Sequence, residues 1–145
     1  MHWSTSNLPE GVEGMRPGHE ELLEAVRQPA RRVLVVDDHP SFRRCAHRLL
    51  TQEGFEVVGE AEDGVTAVSL ASELALDFVV LDIQLPDVDG FEVASRLLEH
   101  EPGWRIVLVS SRDRAEYGAR IDASGARGFV ARADFSRTAL ERLLE

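Results

Sequence analysis

The chain has 145 residues, of which 43% are hydrophobic and 29% are charged, a composition typical of one globular domain. Its 26 acidic and 16 basic residues give a formal net charge of −10, so no direct nucleic-acid partner is expected. The sequence has no lysine, which excludes Schiff-base chemistry and the phosphate-binding lysine of a P-loop. It also has no apolar run near the roughly 18 residues that span a bilayer, no N-terminal secretion signal and only one cysteine. These features predict a cytoplasmic protein that contacts no membrane.

Residues 1–30 differ in composition from the rest of the chain. They contain three glycines and three prolines and no run of β-branched residues. A short apolar strip predicts a marginal helix over 20–28, which ends before Pro29. We therefore expect a mostly flexible extension over 1–30, followed by a domain over 31–145.

From residue 32 onward, short apolar runs alternate with stretches of helical spacing. The runs are Val33–Val36, Val57–Val58, Phe78–Leu81, Ile106–Val109 and Phe129–Val130. Runs that are apolar throughout are typical of strands that are covered on both faces. Five strand-then-helix units predict an α/β fold, in which helices cover both faces of a doubly wound, parallel five-stranded sheet in three layers.

The helical stretches predict which side chains enter the core. In the first, Phe42 and Cys45 fall on the apolar face, so Cys45 is expected to be an inert, buried small hydrophobe. The last predicted helix covers Phe135–Leu144.

Polar residues follow four of the predicted strands. Asp37 and Asp38 follow the first strand, and Asp82 follows the third. Ser110 follows the fourth strand, and Arg132 lies one residue beyond the fifth. Each of them alone has an ordinary explanation as a helix cap, a turn residue or a solvated charge. Ligands of doubly wound sheets bind beyond the carboxyl ends of the strands, however, so together these residues indicate a binding site.

Three carboxylates at one sheet edge would repel one another unless a cation neutralises them. Mg²⁺ is the expected ion, because it prefers a few protein oxygens completed by water and phosphoryl oxygens. The Ser110 hydroxyl and the Arg132 charge would complete a cradle for a small tetrahedral anion. His39 precedes Pro40 and is expected to shape the loop rather than to bind metal. The arrangement predicts phosphoryl transfer onto a carboxylate.

Four motifs, in this order and spacing, resemble the receiver domain of bacterial two-component response regulators. They are VLVVDDHP at 33–40, VVLDIQLPDVDG at 79–90, VLVSS at 107–111 and GARGFVAR at 125–132. The resemblance covers residues 32–145. It implies a flavodoxin-like (βα)5 fold with strand order 2-1-3-4-5.

The resemblance also implies roles for the acidic residues. Asp82 would accept a phosphoryl group from a histidine kinase or a phosphotransfer protein. Asp38 and Asp82 would bind Mg²⁺ through their side chains, and Gln84 would bind it through its backbone carbonyl. Asp37 would act largely through a water molecule on the ion.

The same resemblance implies a conformational switch. The Ser110 hydroxyl would move towards the phosphoryl oxygen and Phe129 would turn inward, which changes the face formed by helix four, strand five and helix five. Arg132 departs from the family pattern, which has lysine at this position. Arginine keeps the positive charge, but its planar fork prefers two parallel hydrogen bonds. We expect phosphorylation to be retained, with a weaker response or an altered lifetime. Gln84 and Arg112 flank the site and would govern the access of water.

We expect a stand-alone receiver that signals through an unidentified downstream protein and catalyses only its own phosphorylation and dephosphorylation. One alternative is a phosphorylation-independent pseudo-receiver, which the arginine at 132 favours. Another is a fragment of a DNA-binding regulator, because the Asp-Asp-His-Pro opening at 37–40 resembles that subfamily. A haloacid-dehalogenase-type phosphatase fits less well, because its Asp-x-Asp spacing is absent after the first strand. The kinase, the stimulus and homodimerisation on activation stay open.

Overall fold

The computed structural model describes residues 31–144, which form an α/β domain around one parallel sheet. The strands are β1 (Arg32–Val36), β2 (Glu56–Ala61), β3 (Phe78–Asp82), β4 (Arg105–Ser110) and β5 (Gly128–Ala131). The helices are α1 (Pro40–Gln52), α2 (Gly64–Glu73), α3 (Gly90–His100), α4 (Ala119–Ala123) and α5 (Arg137–Leu144). The strand order is β2-β1-β3-β4-β5, so the predicted topology is confirmed. The extension predicted over 1–30, with its helix over 20–28, lies outside the described residues.

The sheet separates two hydrophobic clusters, which makes the fold three-layered. Leu34 and Val36 of β1 pack into the cluster covered by α2, α3 and α4, whereas Val33 and Val35 pack into the cluster covered by α1 and α5. All four side chains are fully buried. A strand that must bury both faces cannot alternate apolar with polar residues, which explains the continuous apolar runs in the sequence.

The strand register brings the candidate site residues to one edge of the sheet. Leu81 of β3 lies opposite Val36 of β1, and Ala131 of β5 lies opposite Ser110 of β4. Because all the strands run in the same direction, the residues that end or follow them meet at the carboxyl edge. These residues are Asp37, Asp82, Ser110 and Arg132.

Cys45 is exposed, so the prediction that it faces the core was wrong. The buried line of α1 runs through Phe42, Ala46 and Leu50. At about 100° per residue, Cys45 lies roughly 100° away from the centre of that line and faces solvent.

The last helix starts at Arg137, two residues later than predicted. Phe135 has extended backbone and is buried, and its ring packs edge-on against Phe42 with centroids 5.1 Å apart. The helix begins only after this ring has entered the core, and the Ser136 hydroxyl then accepts a hydrogen bond from the Ala139 N–H at 3.3 Å.

The segment between β4 and α4 is largely non-helical. It contains a single 3₁₀ turn over Arg114–Glu116, and α4 itself has only five residues. Gly118 separates the two with φ +57° and ψ −136°, a conformation that essentially only glycine adopts. A helix therefore cannot run through this position. Within residues 31–144, no helix is long and apolar enough to cross a membrane.

Candidate functional site

Three carboxylates and one imidazole converge at the carboxyl edge of β1 and β3. Asp37, Asp38, His39 and Asp82 each offer one ligand atom, and these atoms all lie within 4.8 Å of one another. The side chains of Asp37 and Asp82 are 0% exposed, and that of Asp38 is 36% exposed. The acidic cluster expected from the strand ends is therefore present in the folded chain, with two of its three carboxylates withdrawn from solvent.

Both carboxylate oxygens of Asp37 already accept hydrogen bonds. Oδ1 accepts from the His39 N–H at 2.8 Å and contacts the His39 Nδ1 at 3.0 Å, and Oδ2 accepts from Arg132 Nη2 at 2.9 Å. Arg43, which the sequence reasoning did not single out, donates from Nη1 to the Asp37 carbonyl at 2.6 Å. Asp37 is thus a fixed anchor of the site, and His39 contacts it through both its backbone N–H and its ring.

Arg132 joins two carboxylates through one nitrogen. Its Nη2 donates to Asp37 Oδ2 at 2.9 Å and to Asp82 Oδ2 at 3.0 Å. Its guanidinium carbon lies 5.5 Å from the centre of the Phe42 ring, and its side chain is only 17% exposed. The arginine therefore lies over the cluster as its internal cation, with its planar group held against an aromatic ring.

Asp82 is the carboxyl group whose acidity the fold changes most clearly. Burial raises its pKa from 3.8 to about 7, and the charges of Asp37 and Asp38 add to this rise. The Gln84 N–H, which donates to Asp82 Oδ1 at 2.9 Å, and the Arg132 charge oppose it. Near neutral pH the metal-free carboxyl therefore divides between its neutral and ionised forms.

The donor set fits a hard divalent cation. Asp38 Oδ1 is buried and has no hydrogen-bond partner within the described part of the chain. The His39 Nδ1 lies 2.9 Å from this oxygen as an ion-pair contact but makes no hydrogen bond to it. A buried carboxylate oxygen without a partner is costly, and an oxygen-seeking ion such as Mg²⁺ would remove that cost.

Ser110 is buried at the end of β4 and is held by the loop that follows it. Its Oγ accepts from the Arg112 N–H at 3.1 Å and shares a hydrogen bond with the Tyr117 hydroxyl at 2.5 Å. Phe129 lies opposite Leu108 in the sheet and packs against Tyr117, with ring centroids 6.0 Å apart. Tyr117 therefore connects the two residues of the expected switch.

The side chains of Gln84 and Arg112 meet at the mouth of the site. With the Gln84 amide oriented so that its oxygen faces the guanidinium, that oxygen accepts from Arg112 Nε at 3.0 Å and from Nη2 at 3.2 Å. Both residues are exposed. This contact is the structural basis on which Gln84 and Arg112 would control the access of water to the site. That role stays a prediction.

Sequence reasoning missed Tyr117 and Arg43. Tyr117 is the only tyrosine of the chain and follows Ser110 by seven residues within a polar segment, a signal that could have drawn attention to it. Arg43 gave no such signal, because an arginine on the first turns of a helix is usually solvated.

Comparison with known proteins agrees with this geometry. The family described as the response regulator receiver domain matches residues 33–144, and the chain belongs to this family. It is a receiver domain of response regulators, with the fold and acidic pocket of that class.

Individual relatives cover the same region. Response regulator GacA of Pseudomonas aeruginosa is 36% identical over 100 residues, which are 68% of this chain and 47% of that protein. The signal receiver domain of NarL from Mycobacterium tuberculosis is 32% identical, with a TM-score of 0.69 over 81% of this chain and 98% of that one. TrrA from Thermotoga maritima, solved in complex with Mg(2+)-BeF, is 28% identical, with a TM-score of 0.70 over 79% of this chain and 96% of that one. The chain spans about half the length of the curated relatives that it matches.

Proposed function

We propose that this receiver domain accepts a phosphoryl group on Asp82 from a histidine kinase or a phosphotransfer protein, in a Mg²⁺-dependent reaction. The observation that carries the proposal is the position of Asp82. Its carboxyl group is buried at the sheet edge, shares one arginine nitrogen with Asp37, and lies beside the unpartnered oxygen of Asp38. The proposed partners act in the cytoplasm, which is where we expect the protein.

Asp38 and Asp82 would hold the Mg²⁺ ion through their side chains, and Gln84 would hold it through its backbone carbonyl. Asp37, whose two oxygens are already engaged, would act on the ion indirectly. When bound, the ion neutralises the acidic cluster, so that an anionic phosphoryl donor can approach it.

The reaction requires Asp82 to be ionised and correctly aimed. The Gln84 N–H fixes Oδ1, which orients the carboxylate plane in the site. A carboxylate oxygen of Asp82 attacks phosphorus, the bond from phosphorus to the donor nitrogen breaks, and its electron pair stays on the donor imidazole. The guanidinium of Arg132, already in contact with Asp82 Oδ2, then donates to the phosphoryl oxygens and takes up their charge.

The acyl phosphate offers new hydrogen-bond acceptors to the chain. Ser110 moves to donate to one of them, and Phe129 turns inward. The face formed by α4, β5 and α5 changes as a result, and a downstream protein reads this change. Phosphorylation acts by shifting the population between two packings of the same domain.

Incubation with acetyl phosphate and Mg²⁺, followed by intact mass spectrometry, tests the proposal. We expect one phosphoryl adduct on the native chain and none on Asp82→Asn. Asp134→Asn removes an exposed carboxylate and is the matched control, which should keep the adduct. An adduct that persists in Asp82→Asn would show that the phosphoacceptor is another residue.

Arg132 supports a second candidate function, a pseudo-receiver that works without phosphorylation. Its guanidinium already occupies Oδ2 of both Asp37 and Asp82. A folded chain that binds Mg²⁺ but gains no adduct would favour this function. Arg132→Lys restores the residue type of the family. If the native chain gains no adduct but Arg132→Lys does, the arginine is what prevents phosphorylation.

A third candidate is a receiver joined to a DNA-binding output domain. It is supported by curated relatives of about twice the matched length, one of which is a transcriptional regulatory protein, DegU of Brevibacillus brevis. The sequence of the full-length gene tests this candidate directly.

A further inference from the structure

Tyr117 contacts both residues to which the proposed function assigns the conformational switch. Its hydroxyl shares a hydrogen bond with the buried Ser110 Oγ. Its ring packs against Phe129, with centroids 6.0 Å apart and planes inclined by 56°. One side chain therefore couples the hydroxyl at the end of β4 to the aromatic ring on β5.

The position of the Tyr117 ring is fixed from its other side. Phe91 of α3 packs against it edge-on, with centroids 5.8 Å apart. Arg120 in turn lies 4.3 Å from the centre of the Phe91 ring and pairs with Asp89 at 2.9 Å. The Tyr117 hydroxyl is thus aimed at Ser110 by a layer of packed side chains, not by a free loop.

We propose that Tyr117 is a positioning residue that holds Ser110 in the unphosphorylated conformation, because its hydroxyl competes with the phosphoryl group for the Ser110 hydroxyl. The inference rests on the proposed function. Either hydroxyl can donate in the observed pair, and in both arrangements a Ser110 side chain that turns towards a phosphoryl oxygen breaks the contact. The energy of this hydrogen bond therefore opposes activation.

The backbone beside Tyr117 allows the released ring to move. Gly118 follows it directly, with a positive φ and with no atom other than those of its two chain neighbours within 4 Å of the position that a Cβ would occupy. The segment from 111 to 118 contains only one 3₁₀ turn and lies before the short α4. Release of Ser110 would thus remove one of the contacts that hold Tyr117, and a shift of the Tyr117 ring would change its packing against Phe129.

Tyr117→Phe separates the hydroxyl from the ring, because it keeps both aromatic contacts and removes only the O–H. The probe is beryllofluoride with Mg²⁺, titrated calorimetrically into the full chain. We expect Tyr117→Phe to bind the probe about fivefold to tenfold more tightly, the equivalent of one neutral hydrogen bond lost from the unphosphorylated state. In a Ser110→Ala background the same substitution should leave the affinity unchanged, because the partner hydroxyl is already absent.

Tyr117 is also the only tyrosine in the chain, so it can report on itself. Uniform incorporation of 3-fluorotyrosine gives one ¹⁹F resonance, which we expect to shift when beryllofluoride and Mg²⁺ bind. A purely structural tyrosine would give no change in affinity when its hydroxyl is removed.

The outcomes distinguish this inference from the proposed function. Binding with an unmoved resonance, or with equal or weaker affinity in Tyr117→Phe, overturns the role of Tyr117 and leaves Asp82 as the phosphoacceptor. A chain that neither binds beryllofluoride nor gains an adduct from acetyl phosphate overturns both.

Discussion

Asp82→Asn tests directly whether the fold withdraws the candidate phosphoacceptor from water. Burial raises the pKa of Asp82 from 3.8 to about 7 in the metal-free protein. Between these two values the unfolded chain has released its proton while the native chain still holds it. The free energy of unfolding therefore falls as the pH rises through this window, and the stability that the neutral carboxyl contributes below pH 3.8 is lost above pH 7.

The size of the effect follows from the shift. At about 1.4 kcal/mol per pKa unit, a rise of roughly three units corresponds to about 4 kcal/mol over the whole window. Roughly 2–3 kcal/mol of this falls between pH 5 and pH 8. Asparagine has almost the same shape as aspartic acid and no proton to lose. The free energy of unfolding of Asp82→Asn should therefore rise by about 2–3 kcal/mol relative to that of the native chain between pH 5 and pH 8.

Urea unfolding in EDTA, followed by circular dichroism at the two pH values, measures this difference. Asp87→Asn is the control, because its effect on stability should be the same at the two pH values. Backbone N–H groups of Gly64 and Val65 hold the pKa of the exposed Asp87 carboxyl below its usual value of 3.8, so its contribution is lost only as the pH falls below that value, outside the measured window. If the stability difference between Asp82→Asn and the native chain were the same at pH 5 and pH 8, the carboxyl would not be desolvated and the reasoning would fail.

Saturating Mg²⁺ should reduce this dependence on pH. An ion that binds only the native state stabilises it by about 2.7 kcal/mol at 100 times its dissociation constant. It binds the ionised carboxylates, so the gain should be largest at pH 8. The same titration on Asp82→Asn, which offers one fewer charged ligand, should show a smaller gain.

Substitutions of Arg132, Gly90 and Phe135, the first two with a comparison variant, test the packing around the site. Arg132→Ala leaves two buried carboxylates without their shared cation, so we expect the free energy of unfolding in metal-free urea at pH 8 to fall by about 3–5 kcal/mol. Arg132→Lys keeps the charge and should lower it by less. Equal losses of stability in the two variants would contradict a role based on charge. Gly90→Ala would place a Cβ 2.4 Å from the Asp82 carbonyl oxygen, so we expect a loss of about 1–3 kcal/mol and a lower adduct yield from acetyl phosphate. Gly103→Ala is the control, because the new Cβ would meet only a flexible side chain at 3.3 Å. It should change neither the stability nor the adduct yield, and equal effects of the two glycine substitutions would refute the steric argument. Phe135→Ala removes a buried ring and should cost about 3–5 kcal/mol in thermal or urea unfolding, whereas a loss below about 1 kcal/mol would show that the ring is not part of the core.

The sequence alone determined the class of fold and the edge of the sheet at which the acidic residues meet. Continuous apolar runs indicate strands that are covered on both faces, and five strand-then-helix units predict a parallel sheet. The strand pattern alone predicts that Asp37, Asp82 and Ser110 lie at one edge of the sheet, because residues at the carboxyl ends of parallel strands meet. These inferences depend only on local pattern and chain direction.

Other features depended on orientations that only the tertiary structure fixes. Cys45 faces solvent because the buried line of α1 runs through Phe42, Ala46 and Leu50. Phe135 lies before the last helix because its ring packs in the core against Phe42. Two contacts of the site join separate elements. One nitrogen of Arg132 contacts two carboxylates, and the Tyr117 hydroxyl contacts Ser110. Such contacts are set by distances of a few tenths of an ångström between side chains, which a one-dimensional pattern does not encode. For the same reason the raised pKa of Asp82 became apparent only in the fold, since burial is a property of everything packed around a group.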